Sequence, residues 1–292
     1  MKNNREHIPV LLKEVLDSLG PLEGKKYIDA TFGFGGHTEA IQKAGGKVLA
    51  IDWDPEIISL AKKRHPCPGA SCQLIQGNFA EIKFLAEREK FAPVDGILFD
   101  LGISRWHYKK GQRGFSFEDS NLDMRLNPEI KEKAFKIINS YSLNKLNEVF
   151  TKLVQEKLAE PIAQALVSAR RLKPIKSAKE LAGIIEKVYQ KIGERTRFHP
   201  ATKVFLALRM VVNQELKNLE KGLNQGWQIL KTGGKVLVIT FHSTEDRIVK
   251  NFAKEKEKTD QGKSKICFPS EEEIKKNYLA RSAKLRIIQK IV

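Results

Sequence analysis

The sequence predicts an α/β protein: a doubly wound, mixed but mostly parallel sheet interrupted by an inserted all-helical domain. Three observations lead there. Over roughly the first hundred residues, short apolar runs alternate with stretches of helical periodicity, the pattern of a parallel sheet covered on both faces. Roughly a hundred residues after "VDGILFDLG" (Val94 to Gly102) then carry amphipathic helical patterns and no convincing strand. An apolar strand returns in "TGGKVLVITFHS", Thr232 to Ser243, behind a glycine pair that stops a helix begun near Thr202.

The elements follow in order. Strands are expected at Lys26 to Thr31, Lys47 to Ile51, Gln73 to Gln76 and Val94 to Phe99. Between them "HTEAIQKAG", "PEIISLAKKRH" and "FLAEREKFA" space their apolar residues as helices do, and each ends near a Gly or Pro. In the helical stretch, Ser177 stands three residues before Glu180 behind Pro174, the spacing of a capping box at a helix start. At the carboxyl end, "KSKICF" and "AKLRIIQKIV" read as two short strands that pair antiparallel at the sheet's edge. The expected domains are 1–104 with 203–292 for the sheet and 105–202 for the insertion.

Composition narrows the function. With 292 residues and 41% hydrophobic content the chain can bury a real core. No run of about 18 apolar residues occurs, and the charged start "MKNNREHIPVLLKEVL" lacks a small-residue cleavage site, so a cytoplasmic protein is expected, with no membrane partner. Three cysteines, Cys67, Cys72 and Cys267, make no disulfide framework and are expected to be reduced thiols. Cys67, Cys72 and nearby His65 lack a fourth ligand, so no metal site is assigned. Lys and Arg outnumber Asp and Glu by 52 to 35, a formal charge of +17, which favours a polyanion such as nucleic acid.

The chemistry begins at "YIDATFGFGGHTEAI", Tyr27 to Ile41, where a strand runs into Gly33, Gly35 and Gly36 and then a helix. Such a turn presents backbone N–H groups and the positive end of a helix dipole to a ligand above the sheet. A dinucleotide fingerprint needs a third glycine where Thr38 stands, and a phosphate-loop lysine is absent. A cofactor without phosphates fits better, gripped at its ribose by an acid at the end of the second strand, and "AIDWDP" supplies Asp52. S-adenosylmethionine meets these terms: no pyrophosphate, a ribose diol, an amino-acid tail and a sulfonium. The bland alternative is an α/β domain with tight turns and no cofactor.

Ligands of doubly wound folds lie beyond the carboxyl ends of the strands. Asp29, Asp52, Asn78, Asp100, Ser104, His242 and Ser243 are expected there. Asp100, ending the fourth strand, suits an acceptor beside a target amine or a grip on the cofactor. Next to it "SRWHYKKGQRGFSFEDSNLDMR" interleaves Trp106, His107, Tyr108, Phe115 and Phe117 with cations, which suits an unstacked base or, equally, a lid packed into the core.

Eleven segments together resemble the bacterial small-subunit (16S) ribosomal RNA cytosine N4-methyltransferases: "HIPVLLKEVLD", "YIDATFGFGGHT", "AIDWDP", "GNF", "VDGILFDLGIS", "RGFSF", "LDMR", "HPATK", "VNQEL", "FHSTEDRIVK" and "ARSAKLR". The resemblance covers almost the whole chain in family order. It implies a class I, Rossmann-like methyltransferase fold, an insertion that recognises substrate, S-adenosyl-L-methionine as cofactor, and methylation of a cytidine N4 amine in the decoding region of the RNA or assembled subunit. Carried over, the cofactor contacts fall on Gly35, Gly36, His37, Asp52, Phe79 and Asp100, with Asp100 also the catalytic candidate. His107 stands where the family has a glutamine that touches cofactor. Ala30, Thr244 and "VQE" (Val154 to Glu156) also depart from the family pattern. A homodimer is an allowed assembly. The competing readings are an amino-methyltransferase for another RNA or DNA site, whose usual Pro-Pro after the strand-four acid is missing at Leu101-Gly102, and a non-catalytic RNA-binding assembly factor.

Overall fold

The structure is a computed structural model that describes residues 9–64, 71–109 and 111–292. The chain divides into two compact units, one comprising the residues up to Ile103 and Leu216–Val292, the other Ser104–Glu215. The second unit thus keeps residues 203–215, beyond the expected return to the sheet at 203.

In the first unit, helix α1 (Leu12–Leu19) precedes β1 (Lys26–Asp29), α2 (Gly36–Lys43), β2 (Lys47–Asp52), α3 (Pro55–Arg64), β3 (Cys72–Gln76), a short turn of tight helix (Phe79–Glu81), α4 (Ile82–Arg88) and β4 (Val94–Asp100). The strands form one seven-stranded sheet in the order β3-β2-β1-β4-β5-β7-β6, with β5 (Leu230–Thr240), β6 (Gly262–Cys267) and β7 (Lys284–Lys290). The first five run parallel, whereas β7 pairs antiparallel with both β5 and β6, so the carboxyl-terminal edge is the expected mixed one. The order reverses direction between β1 and β4, the switch point at which such sheets open a crevice.

Alternation along the strands explains the two layers. In β4, Ile97 and Phe99 face one way with Ile28, Leu49, Ile51, Val236 and Val238, and pack against Ile82, Leu85, Leu219, Leu223 and Trp227. Leu98 faces the other way with Val48, Ala50, Leu237 and Ile239, against Val15, Leu19, Ile41 and Leu285. Both faces of the central strands are therefore apolar, as the continuous run in β5 demands.

The helical unit contains α5 (Arg105–Lys109), α6 (Ala134–Ser140), α7 (Leu143–Val154), α8 (Ala159–Leu172), α9 (Ala178–Ile192) and α10 (Thr202–Val212). Leu146, Phe150, Ile162, Leu166, Leu181, Ile185, Val204 and Leu208 are its buried stripe residues. Ser177 caps α9 by accepting from Glu180 N at 3.0 Å, and Glu180 reaches back to accept from Lys176 N at 2.8 Å, one residue earlier than a strict capping box.

Three expectations need correction. The helix begun at Thr202 does not run on to the glycine pair: it ends at Val212, Gln214 turns left-handed at φ 50°, and α11 (Glu215–Ile229) starts afresh. Gly233 and Gly234 fall inside β5, where the register against β4 shifts between Val94 and Gly96, so the pair makes a bulge rather than a helix stop. Cys72 is disulfide-bonded, not a reduced thiol, whereas Cys267 is free; Cys67 and His65 lie outside the described residues. The first unit is completed by α12 (Ser243–Lys258) and α13 (Glu271–Lys276). Among the described residues no helix is long and apolar enough to cross a membrane.

Candidate active site

Because β3, β2, β1 and β4 are parallel and adjacent, their carboxyl ends line one edge in that order. Asp52 closes β2 and Asp100 closes β4, two strand spacings apart, about 10 Å at roughly 4.8 Å per spacing. The turn after β1 lies between them. A nucleoside with a short tail spans such a distance.

The turn is built for close approach. Phe32 N donates to Ile51 O at 2.8 Å, and Gly35 N returns to Phe32 O at 2.8 Å, folding the chain back over the start of α2. Gly35 caps that helix with φ 82°, and a Cβ there would lie 2.8 Å from the Phe32 ring. Only glycine meets both demands. The turn is tied to the second strand through Gly33 N, which donates to Asp52 Oδ2 at 2.8 Å, while Asp54 N donates to Asp52 Oδ1 at 2.9 Å. These two donors fix the direction of a carboxylate, a group able to accept from vicinal ribose hydroxyls.

Beyond β3, Asn78 Oδ1 accepts from Ala80 N at 2.9 Å and so caps the turn that carries Phe79. The half-buried Phe79 ring stands edge-on to Phe99, centroids 5.6 Å apart, and Gly222 lets α11 pass against it, since a Cβ there would come within 2.8 Å of the ring. That leaves an aromatic edge or face for an adenine.

At the other end Asp29 and Asp100 are joined through threonines. Asp29 Oδ2 accepts from Thr38 Oγ1 at 2.7 Å and Oδ1 from Thr31 N at 3.2 Å, while Thr31 Oγ1 accepts from Asp100 N at 2.7 Å. Burial pushes Asp29 up to about 6 despite these donors. Asp100 is pushed to about 8, first by burial and then by the neighbouring charges of Asp29 and Glu245. One of its oxygens, Oδ1, is buried with no hydrogen-bond partner, and 21% of the side chain remains open. His37 Nδ1 lies 3.6 Å from Asp100 Oδ2, its Nε2 held 3.1 Å from Val10 O.

The structure thus brings His37, Asp29 and Asp100 together at one end and the glycine turn and Asp52 at the other, with Phe79 beyond. Thr31 and Glu245 are not candidates on sequence grounds, and Thr38 is named there only as the residue in place of a third glycine. Glu245 had a legible signal, the cap-x-x-Glu spacing from His242, whose Nδ1 accepts from Glu245 N at 3.4 Å. His242 and Ser243 accordingly serve the start of α12. Asp246 in the same helix binds Arg286 at 2.6 Å and Lys284 at 3.1 Å across to β7.

His107 belongs to the helical unit. It is buried there between Trp106 (5.5 Å) and Phe115 (5.4 Å), both edge-on, with Nδ1 3.3 Å from Ser104 O. Phe115 is also buried, and Phe117 stacks on His199 at 4.0 Å. Much of the aromatic interleaving therefore packs inside its own unit, while Tyr108 stays exposed.

A crevice that offers a phosphate-free glycine turn, a diol-gripping carboxylate and a second carboxylate with an unsatisfied oxygen defines a Rossmann-like enzyme of the class I methyltransferase type. Comparison with known proteins carries this further: residues 4–291 match the MraW methylase family, and the chain belongs to it. Curated relatives named ribosomal RNA small subunit methyltransferase H include those of Dehalococcoides mccartyi, 40% identical over 98% of this chain and 87% of the relative, and Thermomicrobium roseum, 42% identical over 98% and 94%. That of Desulfotalea psychrophila is 38% identical over the full length of both.

Proposed function

We propose that this chain uses S-adenosyl-L-methionine to methylate the exocyclic N4 amine of a cytidine in the decoding region of small-subunit ribosomal RNA, in the cytoplasm. Family membership and the names of its relatives support the reaction and the RNA. The observation that carries the site assignment is Asp100, a carboxylate at the switch point with an unpaired, inward oxygen. The residues present fit the cofactor: Asp52 for the ribose, Gly35 and Gly36 for the close backbone passage, Phe79 for the adenine, Asp100 with His37 for the charged tail. When bound, the cofactor supplies an electrophilic methyl group and positive charge. His107, the remaining candidate for a cofactor contact, packs between Trp106 and Phe115 within the helical unit.

Asp100 then acts as a hydrogen-bond acceptor for the amine. A cytosine N4 lone pair is delocalised into the ring; an acceptor aligned on one N–H favours its localisation, and the burial of the site strengthens that bond. The proton shed on methylation leaves along the same bond.

The helical unit, residues 104–215, is assigned to RNA recognition. At the turn after α9, an open groove of about 660 Å³ is lined by Glu186, Tyr189, Arg195, Thr196, Phe198 and Pro200 among others. Glu186 is already paired with His199 at 2.8 Å and Glu194 with Lys157 at 3.7 Å, whereas among the described residues no carboxylate pairs with Arg195 or Arg197. Phe198 is 48% exposed beside them. The Arg197 guanidinium lies over the Phe198 ring at 5.7 Å, and cations beside an exposed ring suit a single-stranded backbone with a stacked base.

The deciding experiment is transfer of labelled methyl groups to small subunits lacking base methylation, with chromatographic identification of the product nucleoside. N4-methylated cytidine is expected; label on any other nucleoside, or none, overturns the proposal. For the helical unit, replacing Arg195 and Arg197 together by alanine is expected to raise KM for RNA with kcat held, and to lower the salt slope of binding by about 1.4, at roughly 0.7 per single-strand phosphate contact.

A further inference from the structure

The rung of the sheet that carries Asp100 continues past the crevice. Asp100 pairs with Ile239 of β5, Ile239 with Leu285 of β7, and Leu285 with Cys267 of β6. Cys267 is thus three strand spacings from Asp100, about 14 Å at roughly 4.8 Å each. The connection from Phe268 to Lys284, which contains α13, therefore leaves and re-enters the sheet at the level of Asp100. It is also tied to the crevice by the segment before α1. Leu11 N donates to Glu273 Oε1 at 2.7 Å, the preceding Val10 O lies 3.1 Å from His37 Nε2, and Pro9 fills the space that a Cβ on Gly36 would need.

This connection leaves outside what a core would bury. Phe268 is 59% exposed and Tyr278 57%, and Ile266 and Leu279 are exposed with them. The tight turn Tyr278–Ser282 is anchored instead by Ala280, which with Ala283 is buried among Leu285 and Ile287. The Arg281 guanidinium lies 3.9 Å from the centre of the Tyr278 ring and donates to Tyr278 O at 3.1 Å, which builds a cation–aromatic stack on the surface. The helical unit pairs Arg197 with Phe198 in the same way.

The charge of the region points to an anion. From Gly262 to Arg286 the chain carries seven lysines and arginines against three glutamates. Asp246 takes Lys284 and Arg286, Glu273 is spent on Leu11 N, and Glu271 and Glu272 stand in the first turn of α13, where they offset the helix dipole. In the last turn of that helix, among the described residues, no carboxylate pairs with Lys275 or Lys276. Clustered exposed rings rimmed by cations offer what an unpaired nucleotide strand needs: π-faces for its bases and charge for its phosphates.

Resting on the methyltransferase reading, we propose that the connection from Phe268 to Lys284 is a second RNA-contact surface, carried by the sheet unit itself. Tyr278 and Phe268 stack on unpaired bases that flank the target cytidine, and Lys275 and Lys276 meet their phosphates. The surface holds the strand on the side of Asp100 away from the cofactor's ribose grip at Asp52.

Anisotropy and photo-crosslinking of the full chain with a single-stranded RNA oligonucleotide, a cytidine flanked by 4-thiouridines, test this surface. Cross-links are expected in the stretch from Phe268 to Arg281, and their absence from it overturns the proposal. Tyr278→Ala is expected to weaken binding about 10-fold, the loss of one stacked base, with cofactor affinity and Tm held. Tyr278→Phe, which keeps the ring and loses only the hydroxyl, is expected to bind as wild type does. Replacing Lys275 and Lys276 together by alanine is expected to lower the salt slope by about 1.4, at roughly 0.7 per single-strand phosphate contact. A Tyr278→Ala protein that binds the oligonucleotide like wild type overturns the proposal. If that variant loses affinity only for assembled small subunits, the surface meets a protein; if it changes the sedimentation of the free chain, the surface meets a second copy. Failure of the wild type to bind S-adenosylmethionine overturns the methyltransferase reading itself, whereas saturable cofactor binding beside unchanged RNA binding in Tyr278→Ala overturns this surface alone.

Discussion

The ends of β2 and β4 carry the same residue type at the same level of the sheet, in opposite surroundings. Asp52 receives a backbone N–H on each oxygen, from Gly33 and Asp54. Asp100 has an oxygen with no partner and two acidic neighbours. Backbone donors suit an acceptor-only carboxylate and fix its direction, so the β2 end offers a standing grip for hydroxyls. The β4 end offers a buried carboxyl group with one oxygen that nothing in the protein satisfies. In the proposed function, that difference puts recognition at one end of the crevice and chemistry at the other.

Replacing each by asparagine tests that division most severely. Asp100→Asn keeps the volume and removes the acceptor charge aligned on the amine, and kcat/KM for methyl transfer is expected to fall on the order of 100-fold. Asp52→Asn leaves one amide oxygen for hydroxyls and places a donor where Gly33 N or Asp54 N already donates. Cofactor KM is expected to rise roughly 10-fold, the loss of about one hydrogen bond, with kcat little changed. Steady-state kinetics with labelled cofactor separate the two; an equal loss of kcat in both variants breaks the comparison.

The same contrast shows what a sequence exposes. Asp52, Asp100 and the glycine turn were legible because each is fixed by backbone position: a strand end, or a φ that only glycine holds comfortably. The alternating strands and the antiparallel pair at the carboxyl end were legible for the same reason, their apolar periodicity. The break at Gln214 was not, because residues 202–229 keep a helical pattern across it and the stop is a single left-handed residue followed by the partly buried Arg209–Glu215 pair at 2.8 Å. Nor was the charge state of Asp100. That follows first from burial and then from Asp29 and Glu245, the last lying 145 positions along the chain and brought near because β5 is laid beside β4. Likewise the aromatic run from Trp106 to Phe117 read equally as base platform or core, and burial sends His107 and Phe115 to the core.

Stability gives the smallest effect, and its sign distinguishes the two ends. A carboxyl whose folded-state value lies above its unfolded value stabilises the fold while protonated, and that contribution is lost as pH rises through the folded value. For Asp29 the loss runs from about 4 to about 6, and for Asp100 from about 4 to about 8. The cofactor-free protein is therefore expected to lose stability between pH 5 and 8 as these protons leave the buried nest. Asp100→Asn removes the larger share of that loss and forfeits no hydrogen bond at Oδ1, so its Tm at pH 8 is expected to exceed wild type by a few degrees, with the gap closing toward pH 5. Asp52→Asn, by contrast, strands a backbone N–H that the carboxylate satisfied, and its Tm is expected to fall at every pH in this range. Thermal unfolding of the three proteins across pH 5 to 8 checks both signs. An Asp100→Asn protein less stable than wild type at pH 8 contradicts the buried, like-charged nest, because a carboxylate at ease in its site gains nothing from losing its charge.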